Sequence, residues 1–302
     1  MDFEILVDDS LSNLCTDDIL ENAGNKNLLS MVNGFEDGEW RYGKFQNFIW
    51  DNIAETSLSF NERQCLVNHS LLTASAKNLR LTDKEGDISK GSELAEIVLY
   101  GIMKHHYGAL PVVPKIFYKQ NSQDNAKGAD SVHIVVEGDD FSLWFGEAKF
   151  YNSIEDARLS SIIKSVDNSL QTGKLKKENS IITNVHDLAH MIEDVGLRNR
   201  IKDALDNKTS IDELKPKIHI PIFILHECEI TQQQNVLNSE YKGDITNYHI
   251  ERANAFFKKQ IKSLKEIFMY EEIKFHIILF PVPSKSLIVS KFVKNVEHYK
   301  DQ

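Results

Sequence analysis

The stretch that most constrains this chain runs from Gly128 to Phe150, GADSVHIVVEGDDFSLWFGEAKF. Two β-rich runs, Ser131–Glu137 and Phe141–Phe150, flank Gly138-Asp139, a dipeptide suited to a two-residue hairpin turn. That turn sets Glu137 across from Asp140, and further along the ladder Asp130 falls opposite Glu147. Directly opposed residues project from one face of a sheet. A turn shifted by one residue, to Asp139-Asp140, sets Asp130 opposite Lys149, still on that face. Leu143, Phe145, Glu147 and Lys149 share one side of the second strand, and Trp144, Gly146, Ala148 and Phe150 share the other. Both sides are apolar until the last positions, the pattern of a buried central strand whose charges gather at one end.

A buried carboxylate costs on the order of several kcal/mol unless it is paired or bound to a cation. Two carboxylates aimed at each other repel, and a divalent ion removes that repulsion. A lysine two residues on, pointing the same way, is placed to orient or deprotonate a water or to stabilise developing negative charge. Together these are the parts of metal-assisted phosphodiester hydrolysis. The plainer alternative is a Glu–Lys ion pair capping a strand, with Asp130 in a loop. An acid at hairpin register between two apolar faces raises the catalytic reading to equal standing with it.

Gly128-Ala129-Asp130 followed by Glu147-Ala148-Lys149 is similar to the PD-(D/E)xK nuclease signature, in the G-x-D variant that replaces the proline. The wider text, LAEIVLYGIMKHHYG upstream and GEAKFYNSIEDA through the site, resembles the HamA family, nuclease subunits of the Hachiman antiphage defence system, from about residue 88 to 170. The resemblance implies a restriction-endonuclease-like fold, Mg²⁺ (with Mn²⁺ as a substitute), DNA as substrate and a HamB-like helicase as partner. It implies metal ligation by Asp130, Glu147 and the carbonyl of Ala148, with Lys149 positioning the attacking water and stabilising the transition state. It also implies a glutamate from the first core helix, for which Glu96 is the better match and Glu93 the second. As residues alone, the reading as a solvated acid of a first helical turn stands level with the site role for Glu96 and ahead of it for Glu93.

Of the 302 residues, 41% are hydrophobic and 26% charged, ample for a globular core. No apolar run reaches the roughly 18 residues of a membrane span, and the N-terminus MDFEILVDD is acidic, unlike a signal peptide. Cys15, Cys65 and Cys228 are scattered and form no C-x-x-C, so reduced thiols and a cytoplasmic location are expected. A net charge of −10 excludes a basic nucleic-acid coat and predicts weak DNA binding by this chain alone.

In chain order, Phe3–Val7 predicts a strand and Asp8–Gly38 a polar, irregular stretch with a helical piece near Asp17–Leu20. Lys44–Ser57 and Glu62–Leu79 predict helices. Trp40, Tyr42, Phe45, Phe48 and Trp50 read as core rather than as a base-stacking platform. Asp83–Ser89 marks the boundary between an N-terminal extension, 1–85, packed on the core or on a partner, and a nuclease-like domain, 86–302. Gly91–His106 predicts a helix with Leu94, Ile97, Val98, Gly101 and Ile102 inward, ended by Gly108. Pro111–Tyr118 predicts an edge strand, Lys119–Lys127 a polar loop and Ile154–Leu170 a helix. Lys164, Lys174, Lys176 and Lys177 are candidates for phosphate contact, set against the commoner fate of a solvated face.

His186–Leu205 predicts an inserted helix whose His186 and His190 lack a third metal ligand. Lys217–His226 predicts a strand with its two histidines at opposite phases. Asn247–Tyr270 predicts a helix with Lys258, Lys262 and Lys265 on one face, Ile273–Pro281 a strand and Ser284–Tyr299 a closing helix. The expected fold is α/β: a restriction-endonuclease-like mixed sheet flanked by helices, with an N-terminal helical extension. The expected function is a Mg²⁺-dependent deoxyribonuclease. Its rivals are a non-catalytic helicase-binding adaptor and an RNase using the same site.

Overall fold

In the computed structural model, which describes residues 3–14, 23–80, 92–119, 129–184, 188–206 and 208–302, seven strands make one mixed sheet. They are β1 (Glu4–Ser10), β2 (Lys26–Val32), β3 (Leu110–Val113), β4 (Ser131–Glu137), β5 (Asp140–Tyr151), β6 (Ile218–Glu227) and β7 (Lys274–Val282). Their spatial order is β1-β2-β7-β6-β5-β4-β3. The four inner strands β2, β7, β6 and β5 run parallel, and antiparallel strands finish each side. Residues 35–36 and 39–40 form a separate small hairpin.

Both faces of the inner strands are apolar, and each is covered by helices. On one face, Leu143 and Phe145 of β5, Ile222 and Ile224 of β6 and Ile277 of β7 pack beneath α3 (Asp156–Ser169), α4 (Thr172–Asn184) and α5 (Ser239–Leu264). On the other, Trp144, Ala148 and Phe150 of β5 with Phe223 and Phe280 pack beneath α1 (Tyr42–Ser57), α2 (Ser92–His106) and α6 (Lys285–Lys300). Each fully buried Leu, Ile, Val or Phe contributes about 1.5–3 kcal/mol. The expected α/β sandwich is the fold observed.

The hairpin turns where the sequence predicts. Glu137 pairs with Asp140 and Ser131 with Gly146, and only the first turn residue, Gly138, has a positive φ, +60°. That is the type II′ arrangement, whose twist matches the strands it joins. Gly146 is required for a different reason. A Cβ there would stand 2.2 Å from Ser131 Oγ and 2.9 Å from Leu99 of α2, so the glycine lets the helix lie against the strand.

Several expectations are corrected. Asp8–Gly38 is not irregular throughout: Lys26–Val32 is β2, an inner strand buried on both sides and paired parallel with β7. Glu62–Leu79 is two helices, Phe60–Cys65 and Asn68–Lys77, separated at Leu66 and Val67 by extended backbone. Pro111–Tyr118 is a four-residue edge strand followed by a helix, Lys115–Lys119; Pro114 suits that switch, having a fixed φ and no N–H.

His186–Leu205 is likewise two pieces, Leu188–Met191 and Val195–Ala204, the second capped by Asp194, whose Oδ1 accepts from Leu197 N at 2.8 Å. Helix α5 starts at Ser239 and ends at Leu264, earlier at both ends than expected. The aromatic cluster is core: Trp40 and Phe45 are buried against each other with Phe280 against Phe45, and Tyr42, Phe48 and Trp50 pack half-buried against the same core. The positions 17–20, 83–89, 120–127 and His186 lie outside the described residues.

Candidate active site

Strand β5 reaches the surface of its sheet at Glu147-Ala148-Lys149, and β4 delivers Asp130 beside it. The register predicted from the turn holds as far as Ser131 opposite Gly146, and there it shifts, Asp130 N–H donating to the same Gly146 carbonyl at 2.7 Å. Asp130, Glu147 and Lys149 still meet on one side of the strand, joined through the lysine ammonium.

Lys149 is the centre of the cluster. Its ammonium donates to Asp130 Oδ2 at 3.2 Å and to the Ala148 carbonyl at 3.1 Å, and it is in tight contact with Glu147 Oε1. Ala148 N–H donates to the same Asp130 oxygen at 3.1 Å, fixing the carboxylate from the strand backbone. The side chains are 17% (Asp130), 8% (Glu147) and 29% (Lys149) exposed, so the lysine end is open to a solvated ligand while Glu147 lies beneath it.

The electrostatics follow from that geometry. Burial raises the Glu147 carboxyl above its usual range and the Asp130 charge raises it further; Lys149 and the Ser165 hydroxyl oppose both. Burial disfavours the charge on Lys149, but the carboxylates of Asp130 and Glu147 outweigh burial and hold it above the ordinary lysine value. The lysine is thus a firmly protonated donor here, not a base.

Two residues of the site stand outside the motif. Ser165 on α3 donates to Glu147 Oε1 at 2.5 Å. Glu178 on α4 is buried and accepts Ala129 N–H at 3.1 Å, next to Asp130. Both had a signal in the sequence. Glu178 lies three residues after Leu175 and four before Ile182, on the buried stripe of its helix, and Ser165 follows Ile162 by three.

The remaining candidates fall elsewhere. Glu96 is buried on α2, whose apolar residues cover the opposite face of the sheet, and Glu93 accepts from Arg80 N at 3.0 Å. Among the described residues no three His, Cys, Asp or Glu side chains are grouped to hold one ion. Lys164 is exposed on α3, one residue from Ser165, and Lys174, Lys176 and Lys177 are half-buried on α4 beside Glu178. Beyond the site the Lys285 ammonium donates to the Phe150 carbonyl at 2.6 Å, a cation at the strand end that the motif does not include.

The donor set fits a hard divalent cation. Two carboxylates and a carbonyl, all oxygen, already converge on one positive nitrogen, and Mg²⁺ takes oxygen ligands while keeping several waters. No described helix is long and apolar enough to cross a membrane. The family profile described as HamA matches residues 8–296 of this chain. No curated protein matches it.

Proposed function

The chain belongs to the HamA family, a component of Hachiman antiphage defence, and on that premise we propose that it is a metal-dependent deoxyribonuclease working with a HamB-like helicase. The supporting observation is the convergence of Asp130, Glu147 and the Ala148 carbonyl on a single cation, the Lys149 ammonium, at the open end of a buried strand.

Mg²⁺ or Mn²⁺ would be held by Asp130, Glu147 and the Ala148 carbonyl, and when bound it would supply Lewis-acid polarisation of the phosphodiester and a more acidic water. The rest of the chemistry belongs to this chain. Ser165 and Ala148 N–H orient the two carboxylates from outside the cluster. Lys149, kept protonated by its neighbours, donates a hydrogen bond to the attacking water or to the phosphoryl oxygen as negative charge develops there. Its charge is most useful in the transition state, where the phosphorane carries more negative charge than the substrate.

The test is plasmid DNA incubated with this protein, Mg²⁺, the helicase and ATP, beside Glu147→Ala. Cleavage that disappears in Glu147→Ala is the expected result; equal cleavage by both proteins would sink the proposal. Cleavage of RNA but not DNA would favour the ribonuclease reading. Intact nucleic acid with a stable helicase complex would favour the adaptor.

A further inference from the structure

Outside the cluster, the most heavily buried charges near the site are Lys115 and Glu178. Lys115 opens the short helix after β3, Glu178 lies on α4, and their side chains meet at 2.5 Å with 3% and 4% exposure. Removing two charges from water is costly, and a pair so deep is weak evidence of stabilisation for its own sake. The other oxygen of Glu178 accepts Ala129 N–H at 3.1 Å. The next amide, Asp130 N–H, is held by Gly146 O at 2.7 Å, and the Asp130 carboxylate by Ala148 N–H at 3.1 Å.

Strand β5 holds Asp130 through the Gly146 carbonyl, Ala148 N–H and the Lys149 ammonium, whereas the Glu178 contact to the preceding amide comes from outside the hairpin. We infer that Glu178, steadied by Lys115, is a positioning residue for Asp130, setting the carboxylate where it can share one cation with Glu147. The inference rests on the metal-site reading above. A carboxylate fixed at one oxygen by an ammonium cannot rotate away from the amide it accepts at the other. A neutral residue could accept the same hydrogen bond, and that property separates positioning from charge.

The test uses two double variants of the full chain. Glu178→Leu with Lys115→Met removes both charges and the acceptor; apolar replacement of a buried pair is commonly tolerated by the fold. Glu178→Gln with Lys115→Met removes the charges but keeps an acceptor for Ala129 N–H. Metal affinity is read by calorimetry with Mg²⁺ and Mn²⁺, and amide hydrogen exchange is followed at Ala129 and Asp130.

The Leu/Met protein is expected to bind metal about 10–100-fold more weakly with faster exchange at both amides, as for other outer contacts of a metal site. The Gln/Met protein is expected to recover most of the loss. Wild-type affinity and exchange in a folded Leu/Met protein would overturn the inference alone. If the Leu/Met protein does not fold, a folded Gln/Met protein with affinity down tenfold or more overturns it, and one with wild-type affinity and exchange supports it. If wild type binds no divalent ion, or binds it equally in Asp130→Asn, the metal-site reading itself falls and the inference with it.

Discussion

Ser165 Oγ, on helix α3, donates a hydrogen bond of 2.5 Å to Glu147 Oε1, on strand β5, across the layer boundary between sheet and helix. The hydroxyl favours the charged form of a carboxyl that burial and Asp130 both push toward neutrality.

Ser165→Ala is expected to raise the Glu147 pKa further, because the change removes a donor to the carboxylate. The acidic limb of the pH–cleavage profile should then move to higher pH, and cleavage at neutral pH should fall about tenfold, in line with a hydrogen bond to a charged group worth about 1.5–3 kcal/mol. An unmoved acidic limb would show that Ser165 does not act through Glu147.

Lys149→Ala is expected to lower cleavage by at least about 100-fold without lowering affinity for Mg²⁺, since the lysine competes with a metal for the same oxygens and ligates nothing. In the absence of divalent ions the variant should be less stable than wild type, because Asp130 and Glu147 then face each other uncompensated. Adding Mg²⁺ should raise its melting temperature more than that of wild type. Thermal melts with and without Mg²⁺ measure this directly.

Stability is expected to fall as the pH drops below about 6.5, the unperturbed histidine value. Burial pushes His133 and His219 down to about 3 and His226 to about 4, and holds His249 and His276 well below their ordinary value. Around His226 the hydrogen bonds also require a neutral ring. His226 Nδ1 donates to the Glu227 carbonyl (3.2 Å), so its Nε2 accepts from His249 Nε2 (3.1 Å), and His249 Nδ1 accepts from the Ser30 hydroxyl (2.7 Å). A proton added to His226 sets two N–H groups against each other and breaks that chain.

Bases whose pKa is depressed by folding keep their full stability above the unfolded value and lose it as pH falls from there toward the folded one. Each such histidine costs about 1.4 kcal/mol per pH unit in that window. Urea midpoints at pH 8, 6.5 and 5.5 should show a steep decline only between the last two. A flat profile would mean that these rings are not held neutral.

Gly146→Ala is expected to destabilise the protein by about 1–3 kcal/mol, since the new methyl meets Ser131 Oγ and Leu99 at less than contact distance. Gly138→Ala should cost less, through its positive φ alone, there being open space around that position. Melting temperatures of the two variants give the order.

What the sequence disclosed was set by period-two alternation and by turn chemistry. The residues 131–150 have both, and their register, their two faces and the meeting of Asp130 with Glu147 and Lys149 are all legible there. Strand β2 was hidden because its seven residues, KNLLSMV, sit in polar text and include a buried lysine and serine. The Lys26 ammonium donates to the side-chain oxygen of Asn25 at 2.6 Å and lies over the Tyr270 ring, a partner that only the folded chain supplies. For Ser165 and Glu178 the helical spacing marks only an inward position: hydroxyls and carboxylates on helices are common, and only the contact across layers gives them a role.

The parallel pairing of β2 with β7 has a consequence for how the molecule is made. The two strands are separated by about 240 residues, so β2 leaves a ribosome on the order of 10–50 seconds before its partner exists. Throughout that interval one of its sides presents unpaired amides and carbonyls with no strand to receive them. Asp130, Glu147, Lys149 and Ser165, by contrast, fall within a single stretch that emerges together. Sequence distance thus divides the birth of this protein into an early local event at the acid–lysine cluster and a late long-range closure of the sheet. Conditions that slow release or shield exposed strands should raise the yield of folded protein.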